Sequence, residues 1–245
     1  MKDSERDSYT AALFHYYYDE LKEYSEDFTN FDTPEYQALL NEIFTTGTNI
    51  SDKINSAKTI LQNQKKYVYD YETDEGKQDL ILSKGAQGYY GMFWSCDAGY
   101  SMYDEESETY RENFRYIVPE EGSNVWIDSF CIPKYAGNKS AAEMFMLYMS
   151  NPDVAFYCMD YAGCTSANYQ TTLDYYDYLT NEDDVFAETS QAFQAMYLSL
   201  MFPNLDITLG DYTFNSPLNK CGVMRDLGPK ASDELLIMWS ILRRY

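Results

Sequence analysis

Apolar and aromatic positions recur at helical spacing from the start of the chain. Tyr9, Ala12, Leu13, Tyr16, Tyr17, Leu21 and Tyr24 fall on one stripe, with Ser4 and Asp7 arranged as a capping box in front of them. This pattern predicts an opening helix over residues 9–24, and two more over 34–44 and 51–61. Short aromatic or β-branched runs predict strands at 67–71, 88–94, 114–118 and 125–132, the last ending at Pro133. Asn138 can cap a helix running through Met149. Asn151-Pro152-Asp153 opens another with proline at its first helical position and Gly163 beyond its end. Further helices are expected around 189–201 and 232–244, separated by a loop-rich stretch, 202–228. Strands alternating with helices predict an α/β protein with a mainly parallel or mixed sheet.

Composition narrows the function. Eighteen Lys plus Arg stand against 40 Asp plus Glu, a formal charge of −22, and the chain of 245 residues is 45% hydrophobic with 26 Tyr, 13 Phe and 3 Trp. So acidic a protein repels phosphate backbones and anionic membranes, which excludes nucleic acid as a partner, while its field draws in cations. No run of about 18 apolar residues spans a bilayer, and the segment from Met1 to Asp7 lacks the apolar stretch of a signal peptide. Five cysteines (Cys96, Cys131, Cys158, Cys164, Cys221) contain no CxxC pair, and His15 has no second histidine beside it, so zinc sites of the usual spacing are excluded. A His-dependent nucleophile would need His15, inside the first helix, as its base. The cysteines read as small buried apolar residues, and their spacing fixes no disulfide.

Two aromatic–carboxylate pairs carry the chemistry. Side chains alternate along an extended strand, so Trp126 and Asp128 share one face of 125–132. Trp94 and Asp97 form a second pair across a strand-to-helix turn, with Ser95 as the expected cap, where open α/β sheets present ligand-binding groups. An indole face attracts an ammonium through its quadrupole, and a carboxylate completes the charge and hydrogen bonding. A linear polyamine, with methylenes between its ammoniums, fits that chemistry better than a compact metal ion. Each residue also has a plain structural reading: Trp126 as core, Asp128 as a strand-end residue, Asp97 as a carboxylate favoured by a helix dipole, Asp7 as part of a cap. The runs Tyr16-Tyr17-Tyr18 and Tyr175-Tyr176-Asp177-Tyr178 read as packing and surface residues.

The same residues carry a family likeness. Asn124-Val125-Trp126-Ile127-Asp128-Ser129-Phe130-Cys131-Ile132-Pro133-Lys134, then Ala136-Gly137-Asn138-Lys139-Ser140-Ala141-Ala142-Glu143 and Asn151-Pro152-Asp153-Val154-Ala155, resemble the solute-binding proteins of polyamine (spermidine/putrescine) ABC transporters of the PotD/PotF type. Lys2-Asp3-Ser4-Glu5-Arg6-Asp7, Gly91-Met92-Phe93-Trp94-Ser95-Cys96-Asp97-Ala98 and Tyr161-Ala162-Gly163-Cys164-Thr165-Ser166-Ala167-Asn168 align in order. The resemblance implies a periplasmic-binding-protein type II, or Venus flytrap, fold that closes by a hinge around its ligand. It also implies a polyamine ligand, an ABC permease as partner, no cofactor, no catalysis, and a place on the periplasmic or extracellular face of the membrane. Trp94, Asp97, Trp126 and Asp128 match ligand-contacting positions of the family, and Asp7 matches an acidic one. Asp3 and Ser4, beside it, and Cys164, where relatives carry Tyr, are further candidates. A Gln or similar residue of relatives has no counterpart near Met224 and Arg225.

By the same resemblance the family's first portion precedes Met1. Residues 1–124 and 176–245 then form one largely complete lobe, and 125–175 a remnant of the other. Two alternatives stay open from the residues themselves: a binding protein for a sugar or amino acid, and a glycoside hydrolase using Asp97 and Asp128 as acid and base.

Overall fold

Side-chain caps set where several helices begin. The Ser4 hydroxyl accepts the Asp7 N–H (3.2 Å), Thr33 that of Tyr36 (3.3 Å), Asn138 that of Ala141 (3.3 Å), and Asn151 that of Asp153 (2.9 Å). Each satisfies one of the N–H groups that a first helical turn leaves free. The computed structural model describes residues 1–45, 49–82, 90–181 and 183–244. In chain order its elements are α1 (Glu5–Tyr16), α2 (Tyr18–Tyr24), α3 (Pro34–Phe44), α4 (Ile50–Lys65), α5 (Asp74–Leu82), α6 (Ser95–Met102), β1 (Tyr103–Asp104), β2 (Thr109–Tyr110) and β3 (Ser123–Asn124). They continue with α7 (Lys139–Met149), α8 (Pro152–Ala162), α9 (Tyr169–Asn181), α10 (Asp184–Ala187), α11 (Gln191–Met201), β4 (Ile207–Leu209), β5 (Tyr212–Phe214), a 3₁₀ turn (Pro217–Lys220), β6 (Cys221–Gly222) and α12 (Gly228–Arg244).

Helix and strand are both present, as the pattern predicts, but the strands differ from expectation. Among the described residues they form three two-stranded pairs: β1–β2 and β4–β5 antiparallel, and β3–β6 parallel. The strands expected at 67–71, 114–118 and 125–132 are irregular, as are residues 90–94; residues 88 and 89 lie outside the described residues. In the last of these runs pairing stops after Asn124, with one further bond from the Val125 N–H to Gly222 O (2.9 Å). Alternation tells which faces a strand would show, but a ladder needs a partner strand, and residues 127–132 have none among the described residues. The opening helix is also two: α1 gives way to α2 at Tyr17, across which the bonds Tyr17 N–H to Leu13 O (2.9 Å) and Leu21 N–H to Tyr17 O (2.8 Å) persist.

The chain divides into two compact units. The first comprises residues 1–93, 118–126 and 217–245; the second, 94–117 and 127–216. These limits differ from the lobes that the resemblance implies, since 94–117 and 176–216 pack with 127–175.

In the first unit α1, α4 and α12 pack on one another, and α3 packs on α1. The stripe read from the sequence supplies Tyr9, Ala12, Leu13 and Leu21 to a core completed by Phe44, Leu61, Leu235 and Trp239. At β6 the absence of a side chain at Gly222 is needed, because a Cβ there would lie 2.2 Å from the Phe44 ring.

The second unit has an aromatic core. Tyr110 sits 5.3–5.6 Å, centroid to centroid, from Phe186, Phe193 and Tyr197, mostly edge to face. The Tyr175 hydroxyl donates to Asp160 Oδ1 (3.1 Å). Burial pushes the phenols of Tyr110, Tyr175 and Tyr197 well above their ordinary range, with nearby carboxylates adding to the shift. Several of the sequence's tyrosines are therefore core residues, while Tyr16 and Tyr18 are exposed.

Candidate functional site

In the second unit, α6 begins with Trp94 as its N-cap, in extended conformation (φ −70°, ψ 153°) and 38% exposed. Ser95, expected to cap, is instead the first helical residue. Asp97 lies in the first turn, half-buried, three positions after the indole. An indole and a carboxylate thus stand at one helix terminus, where the macrodipole favours the acid, and Asp97 Oδ2 is buried.

This terminus is fastened on two sides. Cys96 is joined by a disulfide to Cys164, just past the end of α8. Gly163, the C-cap of α8, takes a left-handed conformation (φ 62°), and a Cβ there would lie 3.2 Å from Cys96 O and from Tyr100 N. Glycine therefore permits backbone to approach backbone. Thr165 secures the same turn by donating its hydroxyl to Met201 O (2.8 Å). At the other end of α6, Arg111 Nη1 donates to Ser101 O (3.0 Å) and Tyr103 O (2.6 Å), closing carbonyls that the last turn leaves free, and Nη2 pairs with Asp104 (3.0 Å). The disulfide, Gly163 and Arg111 were not singled out from the sequence as supports of this helix. Only Gly163 carried a signal, as the expected end of α8.

The first-unit candidates have partners of their own. Asp3 accepts the Trp239 indole N–H at Oδ1 (3.2 Å) and pairs with Arg243 at Oδ2 (2.8 Å), so α12 engages both oxygens. Ser4 is the cap of α1. Asp7 faces the Lys2 ammonium at 3.8 Å, with side-chain exposures of 13% and 7%. Its expected place in a capping box is half kept: its N–H bonds Ser4, while its carboxylate meets a cation supplied by the chain. Arg6, in the same turn, donates to Phe44 O (3.1 Å) and Arg225 O (3.0 Å), and burial lowers its pKa.

Trp126 is half-buried in the first unit; Asp128 is exposed in the second. The strand that was to set them side by side is irregular there, so that argument for their pairing lapses. Cys164 presents a half-buried disulfide sulfur rather than a thiol. Among the described residues no group of three or more His, Cys, Asp or Glu side chains is disposed to hold a metal, and no helix is long and apolar enough to cross a membrane.

The model of the bacterial extracellular solute-binding proteins matches residues 2–156, more than half of the chain, and the chain belongs to that family. The match takes in Asp7, Trp94, Asp97, Trp126 and Asp128. Neither a curated protein nor a solved structure matches the chain. The family is one of binding proteins that act outside the cytoplasm in solute transport, not of enzymes, which overturns the hydrolase alternative. The Cys96–Cys164 disulfide suits that oxidising location.

Proposed function

We propose that this chain is the polyamine-binding component of an ABC importer of the PotD/PotF type, with a Venus flytrap fold. It captures spermidine or putrescine outside the cytoplasm and delivers it to a membrane permease. The observation that carries this reading is the disulfide-fastened start of α6, which holds the Trp94 indole and the Asp97 carboxylate three positions apart; in this proposal both meet one ammonium. The formal charge of −22 supports it by drawing linear cations toward the protein. Asp128, Trp126 and Asp7 are the remaining contacts in this proposal. For Asp7 an incoming ammonium would displace Lys2.

Isothermal calorimetry on single variants tests the assignment. Asp97→Asn removes the charge and keeps the shape, and a charged hydrogen bond is worth about 1.5–3 kcal/mol. Putrescine affinity is expected to fall roughly 10- to 150-fold, with Asp128→Asn and Trp94→Ala each weakening it as well. Unaltered affinity in Asp97→Asn, with helicity preserved, removes α6 from the site. Tight binding of a neutral sugar that no acidic variant disturbs replaces the amine with another solute.

A further inference from the structure

Helices α7 and α8 of the second unit pack together, yet α7 buries none of its residues; Tyr148 in its last turn is 61% exposed. On α8, Ala155 and Met159 turn inward, and Asp153, Tyr157 and Tyr161 recur every fourth residue. That spacing sets them along one face of the helix. Together with Val154 and Cys158, these side chains and Tyr148 line a cavity of about 450 Å³. Its walls are three phenol rings, one carboxylate, one aliphatic side chain and one free thiol.

We propose that this groove is a second ligand site, independent of α6, for a small methylated ammonium ion. Three observations select that class. Among the described residues no cationic side chain lines the groove, whose surface is almost wholly apolar and tyrosine-rich with Asp153 at its edge, a lining that suits a cation with an apolar surface. Only one carboxylate is present, whereas a primary ammonium brings three N–H donors that need acceptors; a quaternary ammonium brings none and loses little hydration on contact with the rings. The overall charge of −22 raises the local concentration of any cation and repels anions. The tyrosine rings are 61–80% exposed, which leaves ring surface for a ligand to cover.

The probe is tetramethylammonium chloride, added to the whole chain carrying ¹³C-labelled tyrosine rings, with chemical shifts followed by NMR. The Tyr148, Tyr157 and Tyr161 resonances are expected to shift saturably. Tyr157→Ala and Asp153→Asn should each weaken binding at least fivefold, n-butylammonium should bind at least tenfold more weakly, and Asp97→Asn should leave the titration unchanged. Tyr157 and Asp153 are exposed, so circular dichroism of their variants should match the native chain. Linear, unsaturating shifts, the same shifts with sodium chloride, or an unaffected Asp153→Asn titration overturn the site. Putrescine binding serves as the separate control: its absence beside a tetramethylammonium response removes the polyamine reading and leaves this site standing, while putrescine binding without that response removes this site and leaves the polyamine reading.

Discussion

Joining Cys96 to Cys164 closes a loop across 68 positions. The loop leaves the second unit at residue 117, runs through 118–126 of the first, and returns at 127. The bond therefore ties together the two chain segments from which the second unit is assembled. In the chain-entropy account a loop of that length restricts the unfolded ensemble by roughly 15 cal/mol/K, about 4 kcal/mol at 25 °C. The perturbation is Cys96→Ala with Cys164→Ala, which removes the bond without leaving a lone thiol. Urea unfolding followed by hydrogen exchange, resolved by peptide, reads the outcome in each unit separately, which matters because two units need not unfold as one. Peptides spanning α6 and residues 163–168 should lose protection first, while α1, α4 and α12 keep theirs. An unchanged urea dependence in the second unit refutes the reasoning, as does alkylation of Cys96 or Cys164 in the untreated protein.

Three further outcomes follow from particular contacts. Gly163→Ala forces a left-handed backbone on a residue with a Cβ and crowds the start of α6, so it should cost about 1–2 kcal/mol in thermal or urea unfolding. Lys2→Met leaves the nearly buried Asp7 carboxylate without this partner and should destabilise the first unit by about 1–3 kcal/mol, whereas adding Asp7→Asn should recover most of the loss; an additive double-mutant cycle contradicts the pairing. Glu112 accepts hydrogen bonds from Ser190, including its N–H at 2.8 Å, which hold its carboxyl below the ordinary range. Its contribution is present above the unfolded pKa near ~4.3 and is lost as pH falls through the depressed folded value, so Glu112→Gln should flatten the acid limb of the stability profile measured by calorimetry.

Local signals were legible where they were self-contained. Thr33-Pro34 and Asn151-Pro152 carry both a capping side chain and a proline fitted to a first turn, and α3 and α8 start there. Gly163 ends α8 because a left-handed residue does so wherever it occurs. The strand at 125–132 misled because alternation is a property of one segment whereas pairing belongs to two, and the partner found in β6 reaches only to Val125. Helix α9 was overlooked: its inward face is Thr171, Thr172, Tyr175 and Leu179, a polar and phenolic stripe where an aliphatic one would have announced itself. The hairpin β4–β5 lay hidden in a stretch read as loop, although Gly210, with φ 59° at its turn, is the residue such a reversal requires.

The residue types at Trp94 and Asp97 were readable, and with them the chemistry proposed for this helix start. Their fastening was not, because a contact between Cys96 and Cys164 is fixed by how α6 meets the end of α8, which no spacing encodes. Asp3, Ser4 and Asp7 looked alike as acidic or polar groups near a helix start. The fold separates them by partner: α12 for Asp3, the α1 backbone for Ser4, and Lys2 for Asp7.

Calorimetric titration of the whole chain with putrescine and spermidine, alongside a neutral sugar and a neutral amino acid at two salt concentrations, tests the central claim most directly. Amine recognition by carboxylate and indole predicts saturable heats with the polyamines alone, weakening as salt rises. Saturable binding of the sugar or amino acid, indifferent to salt and with no response to either amine, contradicts it.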